Sequence, residues 1–290
     1  MQLEDINQIA VVGAGNMGHQ ISLHCAINGY QTVCTDISED MLKKADMFVD
    51  AYLSSRVDKG KLSSDEAGAA RDRIRFTPQL KAAVKDADYI IEAVLEVLDL
   101  KRKLFADIDK VAAGHAILAT NSSTIVSSKI AEATKRPEKV LNVHFFNPAL
   151  VMKLVEVVQG SHVSDETAQV SMALCQRLDK MPVLLKKEVD GFLLNRILLK
   201  TYEEAEWLVE MGVATPEDID NACIHGAGHP MGPFRLMDLT GIDLAYTMFV
   251  ENFKKSGDPN DLPKPSLVEH YVKGEFGRKT GKGWYDYSDK

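Results

Sequence analysis

The chain has 290 residues and a mass of 32.0 kDa, enough for two domains. Its hydrophobic and charged fractions, 45% and 26%, are those of a folded globular protein and argue against disordered, collagenous or membrane classes. Lys and Arg number 34 against 42 Asp and Glu, a formal net charge of −8, which sets the chain apart from nucleic-acid-binding domains with their basic balance.

In chain order, Gln8–Val12 reads as a buried strand, Asn16–Asn28 as a helix and Gln31–Asp36 as a second strand. A long helical stretch follows from Glu39 through Val57. Further short apolar runs are Tyr89–Ala93, Ala116–Thr120, Val140–Phe145, Leu154–Val158 and Val183–Leu185. Strands alternating with helices predict parallel strands, hence a Rossmann-like, doubly wound α/β sheet with helices on both faces. After Asp190 the pattern becomes helical. Phe192–Met211 has a helical period, Thr215-Pro216-Glu217-Asp218 reads as a cap with an acidic first turn, and helical segments continue to about Val272. The tail GRKTGKGWYDYSDK reads as an ordered wrap. The expected organisation is an α/β domain over 1–187 and an all-α domain over 188–290.

Cys25, Cys34, Cys175 and Cys223 form no CxxC pair, so free thiols in a reducing compartment are expected, with neither disulfides nor a metal site. His225 and His229 stand four residues apart, but the intervening Gly-Ala-Gly speaks against a helix that would align them on a metal. His19 and His24 read as surface or packing residues, and Trp207 and Trp284 as core or interface. The acidic N-terminus lacks the basic start of a secretory signal, and no apolar run approaches the ~20 residues of a membrane span. A cytoplasmic protein is expected.

Gly13-Ala14-Gly15-Asn16-Met17-Gly18 follows the first strand and opens the first helix. Gly13 permits the tight turn, Gly15 lets a pyrophosphate approach the backbone, and Gly18 allows close helix–strand packing. The helix N-terminus offers free N–H groups to phosphate. Asp36, 23 residues after Gly13, stands where a carboxylate accepts from ribose hydroxyls and repels a 2′-phosphate, which selects NAD over NADP. The competing reading is a structural glycine turn beside a surface aspartate. Two later strands carry residues that an apolar run should not welcome: His144 in VLNVHFFNP and Glu156 in KLVEVVQG. A buried carboxylate needs a partner, and one held against an imidazole fixes its tautomer and leaves the far nitrogen for acid–base work. The competing reading is a satisfied core histidine and a solvent-facing glutamate.

These residues, with IIEAVLE at 90–96, TNSST at 120–124, HFFNPALVMKLVEVV at 144–158, DGFLLNR at 190–196, GHPMGPF at 228–234 and GRKTGKGWYDY at 277–287, resemble the 3-hydroxyacyl-CoA dehydrogenase family. The short bacterial 3-hydroxybutyryl-CoA dehydrogenases are its nearest counterparts. The resemblance implies an NAD-dependent interconversion of a (3S)-3-hydroxyacyl-CoA, with 3-hydroxybutyryl-CoA the expected substrate, and the 3-oxoacyl-CoA. It implies His144 as the acid–base residue, Glu156 as its orienting carboxylate, Ser123 on the substrate oxygen near the nicotinamide, and Asn195 completing the polar set. Glu96, Lys101, Asn147 and Lys279 would contact the cofactor. Lys59, with Arg56 and Lys61 as accessories, would meet the CoA adenine and phosphate, although the same three cations also suit an ordinary solvated face. The family's Asn-Thr-Ser-Ser reads Asn121-Ser122-Ser123-Thr124 here, and Tyr52 stands where a small polar residue is usual. Family members commonly pair through the helical domain, so a homodimer is expected. Two other readings of the fold stand beside this one: an NAD-dependent dehydrogenase of a free hydroxy acid or sugar acid, and a non-catalytic NAD-binding structural protein.

Overall fold

The computed structural model describes residues 1–288. It divides into two compact units, Met1–Phe192 and Leu193–Lys290. The first unit contains eight strands and seven helices: β1 (Gln8–Val12), α1 (Asn16–Ile27), β2 (Gln31–Thr35), α2 (Glu39–Asp58), α3 (Ser64–Arg73), β3 (Ile74–Thr77), α4 (Leu80–Val84), β4 (Tyr89–Glu92), α5 (Leu98–Asp109), β5 (Ile117–Thr120), α6 (Ser128–Ala131), β6 (Val140–Phe145), β7 (Leu154–Val158), α7 (Asp165–Arg177) and β8 (Met181–Leu185). They form one sheet in the order β3-β2-β1-β4-β5-β6-β7-β8. The order reverses between β1 and β4, which opens a crevice at the carboxyl ends of those strands.

Alternate residues of each central strand enter opposite cores. Ile9 and Val11 pack with Ile91, Ala119, Val143 and the inner faces of α1 and α7. Ala10 and Val12 pack with Ile90, Leu118, Phe105 and Ile108 on the other side. Burial on both faces explains why these strands read as continuous apolar runs. Two features differ from the sequence expectation. β3 is an addition to the sequence expectation, because a four-residue edge strand with only Ile74 fully buried carries little apolar signal. The sheet is also not wholly parallel: β7 runs antiparallel to β6. Only residues 146–153 connect the two strands, and a parallel return needs a crossover of a dozen residues or more. Pro182 sits in β8, where the sheet edge tolerates a missing N–H.

The second unit contains α8 (Leu194–Glu210), α9 (Pro216–Ala227), α10 (Pro233–Thr240), α11 (Ile242–Ser256) and α12 (Pro265–Lys273). They enclose Leu199, Tyr202, Ile219, Phe234, Met237, Ile242, Phe249 and Leu267. At α9, the Thr215 side chain accepts from the Asp218 N–H, Pro216 opens the helix and Gly228 closes it in the left-handed region. The helix therefore runs through Gly226 and Ala227, further than expected. His225 is helical and His229 lies beyond the cap. Trp284 and Tyr285 of the tail pack on this core, and Asp238 accepts from both of their N–H groups. Among the described residues no helix is long and apolar enough to cross a membrane.

Candidate active site

The carboxyl ends of β1, β2, β4, β5 and β6 converge on one edge of the sheet, and each contributes to the site. After β1, Gly13 has φ +107°, and a Cβ there would lie 2.6 Å from the Ala93 carbonyl oxygen. A Cβ on Gly18 would lie 1.7 Å from the Gly13 carbonyl oxygen, so close packing of α1 on the strand demands glycine. A Cβ on Gly15 would meet no protein atom within 4 Å, so this glycine borders open space. α1 begins there without a side-chain cap, which leaves its first N–H groups available to an anion. Asp36, just past β2, accepts from the Ala14 N–H at 2.8 Å and the Ser38 N–H at 2.9 Å. Its carboxylate is thereby fixed beside the glycine turn. A tight turn, an open approach, free N–H groups and an adjacent carboxylate together suit a dinucleotide.

Across the cradle, the Asn16 amide donates to Asn147 Oδ1 at 2.9 Å. This hydrogen bond brings the end of β6 to the start of α1. Glu96 and Lys101 lie after β4 and in α5. The Lys101 ammonium is buried, donates to Glu92 Oε1 at 2.6 Å and lies 3.3 Å from Glu96 Oε2. Glu96 Oε1 accepts from Ser122 Oγ, from Thr124 N–H at 3.0 Å and from Thr124 Oγ1 at 2.8 Å. Burial pushes the Glu96 carboxyl up, but Ser122, the Lys101 ammonium and Thr124 outweigh it and hold the group below the ordinary carboxylate range. The loop that carries Ser123 is thus tied to an ionised glutamate.

The antiparallel register sets His144 directly opposite Glu156. Both are buried, and His144 Nδ1 lies 3.0 Å from Glu156 Oε2. An ionised carboxylate only accepts, so Nδ1 carries the imidazole proton and Nε2 presents its lone pair. Nε2 lies 2.9 Å from Ser123 Oγ, whose hydroxyl then donates to it. The imidazole is flanked by the rings of Phe146 and Phe192, with centroids 4.5 and 5.6 Å away. Ser123, His144 and Glu156 therefore form one hydrogen-bonded line from the loop after β5 across β6 and β7.

Several residues that build this line were not singled out in the sequence. Glu92 is fully buried and accepts from Lys101, from Thr120 Oγ1 at 2.7 Å and from the Val94 N–H at 2.7 Å. It is the one acid inside YIIEAV, the same signal that marked Glu156. Asn142, buried in β6, accepts from the Ser127 N–H at 2.7 Å and donates to the Ile125 carbonyl at 2.9 Å, which pins the far side of the Ser123 loop. Phe192 is buried with φ +50°, a conformation no sequence pattern announces.

The remaining predicted residues are placed as follows. Arg56 donates to Tyr52 Oη at 2.9 Å and stacks over its ring at 4.9 Å, while Lys59 and Lys61 are exposed past the end of α2. Within the second unit, Asn195 is half-buried in the first turn of α8, and the Lys279 ammonium lies 2.5 Å from Asp243 Oδ1. His24 donates to the Leu178 carbonyl at 2.6 Å, and burial pushes its imidazole down to about 4. The His19 ring lies tilted against Phe48, with centroids 4.3 Å apart.

Two family models match the chain: the NAD-binding domain of 3-hydroxyacyl-CoA dehydrogenase over residues 8–189 and the C-terminal domain of the same family over 191–287. The chain is 36% identical over 286 residues to a probable 3-hydroxybutyryl-CoA dehydrogenase of Bacillus subtilis, covering 99% of each. It is 36% identical to the human mitochondrial hydroxyacyl-coenzyme A dehydrogenase, covering 97% of this chain and 91% of that one. The crystal structure of an (S)-3-hydroxybutyryl-CoA dehydrogenase from Ralstonia eutropha superposes with a TM-score of 0.90 at 36% identity, covering 98% of this chain and 100% of the other.

Proposed function

The chain belongs to the 3-hydroxyacyl-CoA dehydrogenase family, an NAD-dependent enzyme by that membership, and from this premise we propose that it oxidises (3S)-3-hydroxybutyryl-CoA to acetoacetyl-CoA, and catalyses the reverse, through a His144–Glu156 dyad. The observation that carries the reading is the Ser123–His144–Glu156 line. Nδ1 faces a fully buried carboxylate, so only Nε2 can exchange a proton with substrate. In oxidation Nε2 takes the proton of the C3 hydroxyl while the C3 hydrogen departs as hydride. In reduction the imidazolium returns that proton to the forming alkoxide. NAD, when bound, accepts the hydride or, as NADH, supplies it. Glu156 stabilises the imidazolium, and Ser123 holds the substrate oxygen by hydrogen bonding beside Nε2. The two phenylalanines keep water from the imidazole.

Gly13 to Gly18 and Asp36 would hold the pyrophosphate and adenine ribose. Glu96, Lys101, Asn147 and Lys279 are proposed as further cofactor contacts, and Asn195 as the fourth polar residue, the last two on sequence resemblance alone. Lys59, with Arg56 and Lys61, is proposed to meet the CoA phosphate. The S stereochemistry is supported by the name of the Ralstonia relative. Exposed apolar side chains of the second unit, among them Ile197, Trp207, Met211 and Leu244, support a homodimer through that unit. The test is NADH oxidation followed spectrophotometrically with acetoacetyl-CoA and with free acetoacetate. Turnover is expected with the thioester and not with the free acid. Equal turnover of both would refute the CoA assignment.

A further inference from the structure

Lys180, at the turn between α7 and β8, is a buried ammonium that the reaction does not use. A buried charge without an opposite charge is costly and persists only where other groups hold it. The adjacent carboxylate, Asp179, is paired with Lys153 instead. Lys180 Nζ donates to two carbonyls, Ala149 at 2.5 Å and Met152 at 2.9 Å. Both belong to the connection between β6 and β7, the segment too short to cross over. That connection begins with Phe146, whose ring lies against His144, and Asn147, whose amide oxygen receives Asn16. One side chain thus grips the far end of a loop whose near end touches the acid–base residue and the start of α1.

We propose that Lys180 is a positioning residue for the dehydrogenase reaction: its two hydrogen bonds to the Ala149 and Met152 carbonyls hold the 146–153 connection so that Asn147 is set for the dinucleotide. Charge-assisted bonds are roughly twice as strong as neutral ones, so the clamp is stiffest while the amine is protonated. The groups that face Lys180 are His24 and Cys25 from α1, Cys175 from α7, and Asp179 and Lys153 on the flanking turns. Burial, followed by the Lys153 charge, pushes the Lys180 ammonium down to about 8, while Asp179 pulls the other way. Cys25 and Cys175 are pushed well above that by burial, and His24 well below it, so neither the thiols nor the imidazole changes charge near pH 8.

This inference rests on the reading of Asn147 as a cofactor contact, and the experiment separates the two. Lys180→Met keeps the length of the side chain and removes the donor. In the cofactor-free protein, hydrogen exchange at residues 149–153 is expected to quicken against wild type. NADH affinity, read by fluorescence titration, should weaken roughly three- to tenfold, the share of a charge-assisted clamp that one of several contacts transmits. The KM for the CoA substrate should stay within about twofold, because the loop serves the dinucleotide side. Unchanged exchange and unchanged NADH affinity would overturn the clamp, and so would an equal rise in both KM values. Asn147→Ala measures the underlying reading: if it leaves NADH affinity intact, that reading and the clamp's purpose both fall. If it weakens NADH while Lys180→Met does not, only the clamp falls. Should Lys180→Met fail to fold, the wild type carries the test. Its NADH affinity is expected to decline through pH 8, and this decline should vanish in Asn147→Ala. A decline of equal size in both proteins would overturn the proposal.

Discussion

The two units both bury carboxylates completely, but they hold them in different ways. In the first unit the partners are titratable side chains: Glu156 faces the His144 imidazole and Glu92 the Lys101 ammonium. In the second, backbone N–H groups do the work. Asp220 accepts from Phe234 and Arg235 N–H at the start of α10 and also from Tyr285 Oη at 2.7 Å, and Asp238 accepts from Trp284 and Tyr285 N–H in the tail. An amide N–H cannot take or give a proton near neutral pH, and burial, followed by the Asp220 carboxylate, pushes the Tyr285 phenol further above its ordinary range, so the second arrangement builds scaffold. An imidazole can, so the first arrangement can perform chemistry. Glu206 in α8 fits neither pattern. It is fully buried with no cation or imidazole paired to it among the described residues, and burial outweighs the Lys264 backbone and charge to push it up to about 8.

The largest expected effect separates chemistry from scaffold inside the first unit. His144→Ala should lose ~10²–10⁴-fold in kcat. Glu156→Gln should also cut kcat with little change in the KM for NAD, and the two losses should not multiply, because they disable one unit. Measuring kcat of both single variants and the double variant decides this; strictly multiplicative losses would dissolve the dyad. Glu92→Gln should instead act on stability. It leaves the Lys101 ammonium buried with only the longer contact to Glu96, a cost of about 3 kcal/mol in denaturant unfolding. Adding Lys101→Met should recover most of that loss, since a buried charge is then no longer stranded.

In the second unit Glu206 gives a pH signature. Its folded value is raised above the unfolded one, so its stabilising contribution is complete below about pH 4.5 and is lost as pH rises through about 8. Glu206→Leu should flatten that slope and raise stability at pH 8 by about 2 kcal/mol. Thermal unfolding across pH 5–9 provides the comparison, and identical slopes would mean that solvent reaches the carboxyl. Asp36 shares the backbone-held arrangement of the second unit but stands at the open end of the first. Asp36→Ser should reduce the preference for NAD over NADP by about tenfold, the worth of a charge-assisted hydrogen bond, as read from kcat/KM with each cofactor. The smallest effect belongs to an exposed charge. Lys59→Ala should raise the KM for the CoA substrate several-fold, about 1 kcal/mol, with kcat nearly unchanged and the difference shrinking in high salt.

Much of this was legible in the chain itself. GAGNMG after an apolar run, Asp36 at the next strand end, and the polar side chains of His144 and Glu156 inside apolar strands are local anomalies, and local anomalies survive in one dimension. The helix cap at Thr215-Pro216 was legible for the same reason. Glu92 carried the same kind of signal but lay at the last position of its strand, where an acid draws no notice. Asn142 and Lys180 gave none, because an asparagine in a strand or a lysine after a helix is ordinary until its partners are known.

Sequence by itself determined the open α/β class of the first unit, the nucleotide turn and the presence of His144 and Glu156 inside two apolar strands, since each follows from residue type and spacing of near neighbours. It did not determine that His144 and Glu156 face each other. That follows from the connection over 146–153, which is too short to cross the sheet and so turns β7 antiparallel, in the one register that sets position 144 against position 156. Nor did it determine how Ser123 is held to Nε2, which takes Glu96 from one side and Asn142 from the other. Side-chain networks of that kind join residues far apart in the chain, and only the packed sheet brings their donors and acceptors within reach.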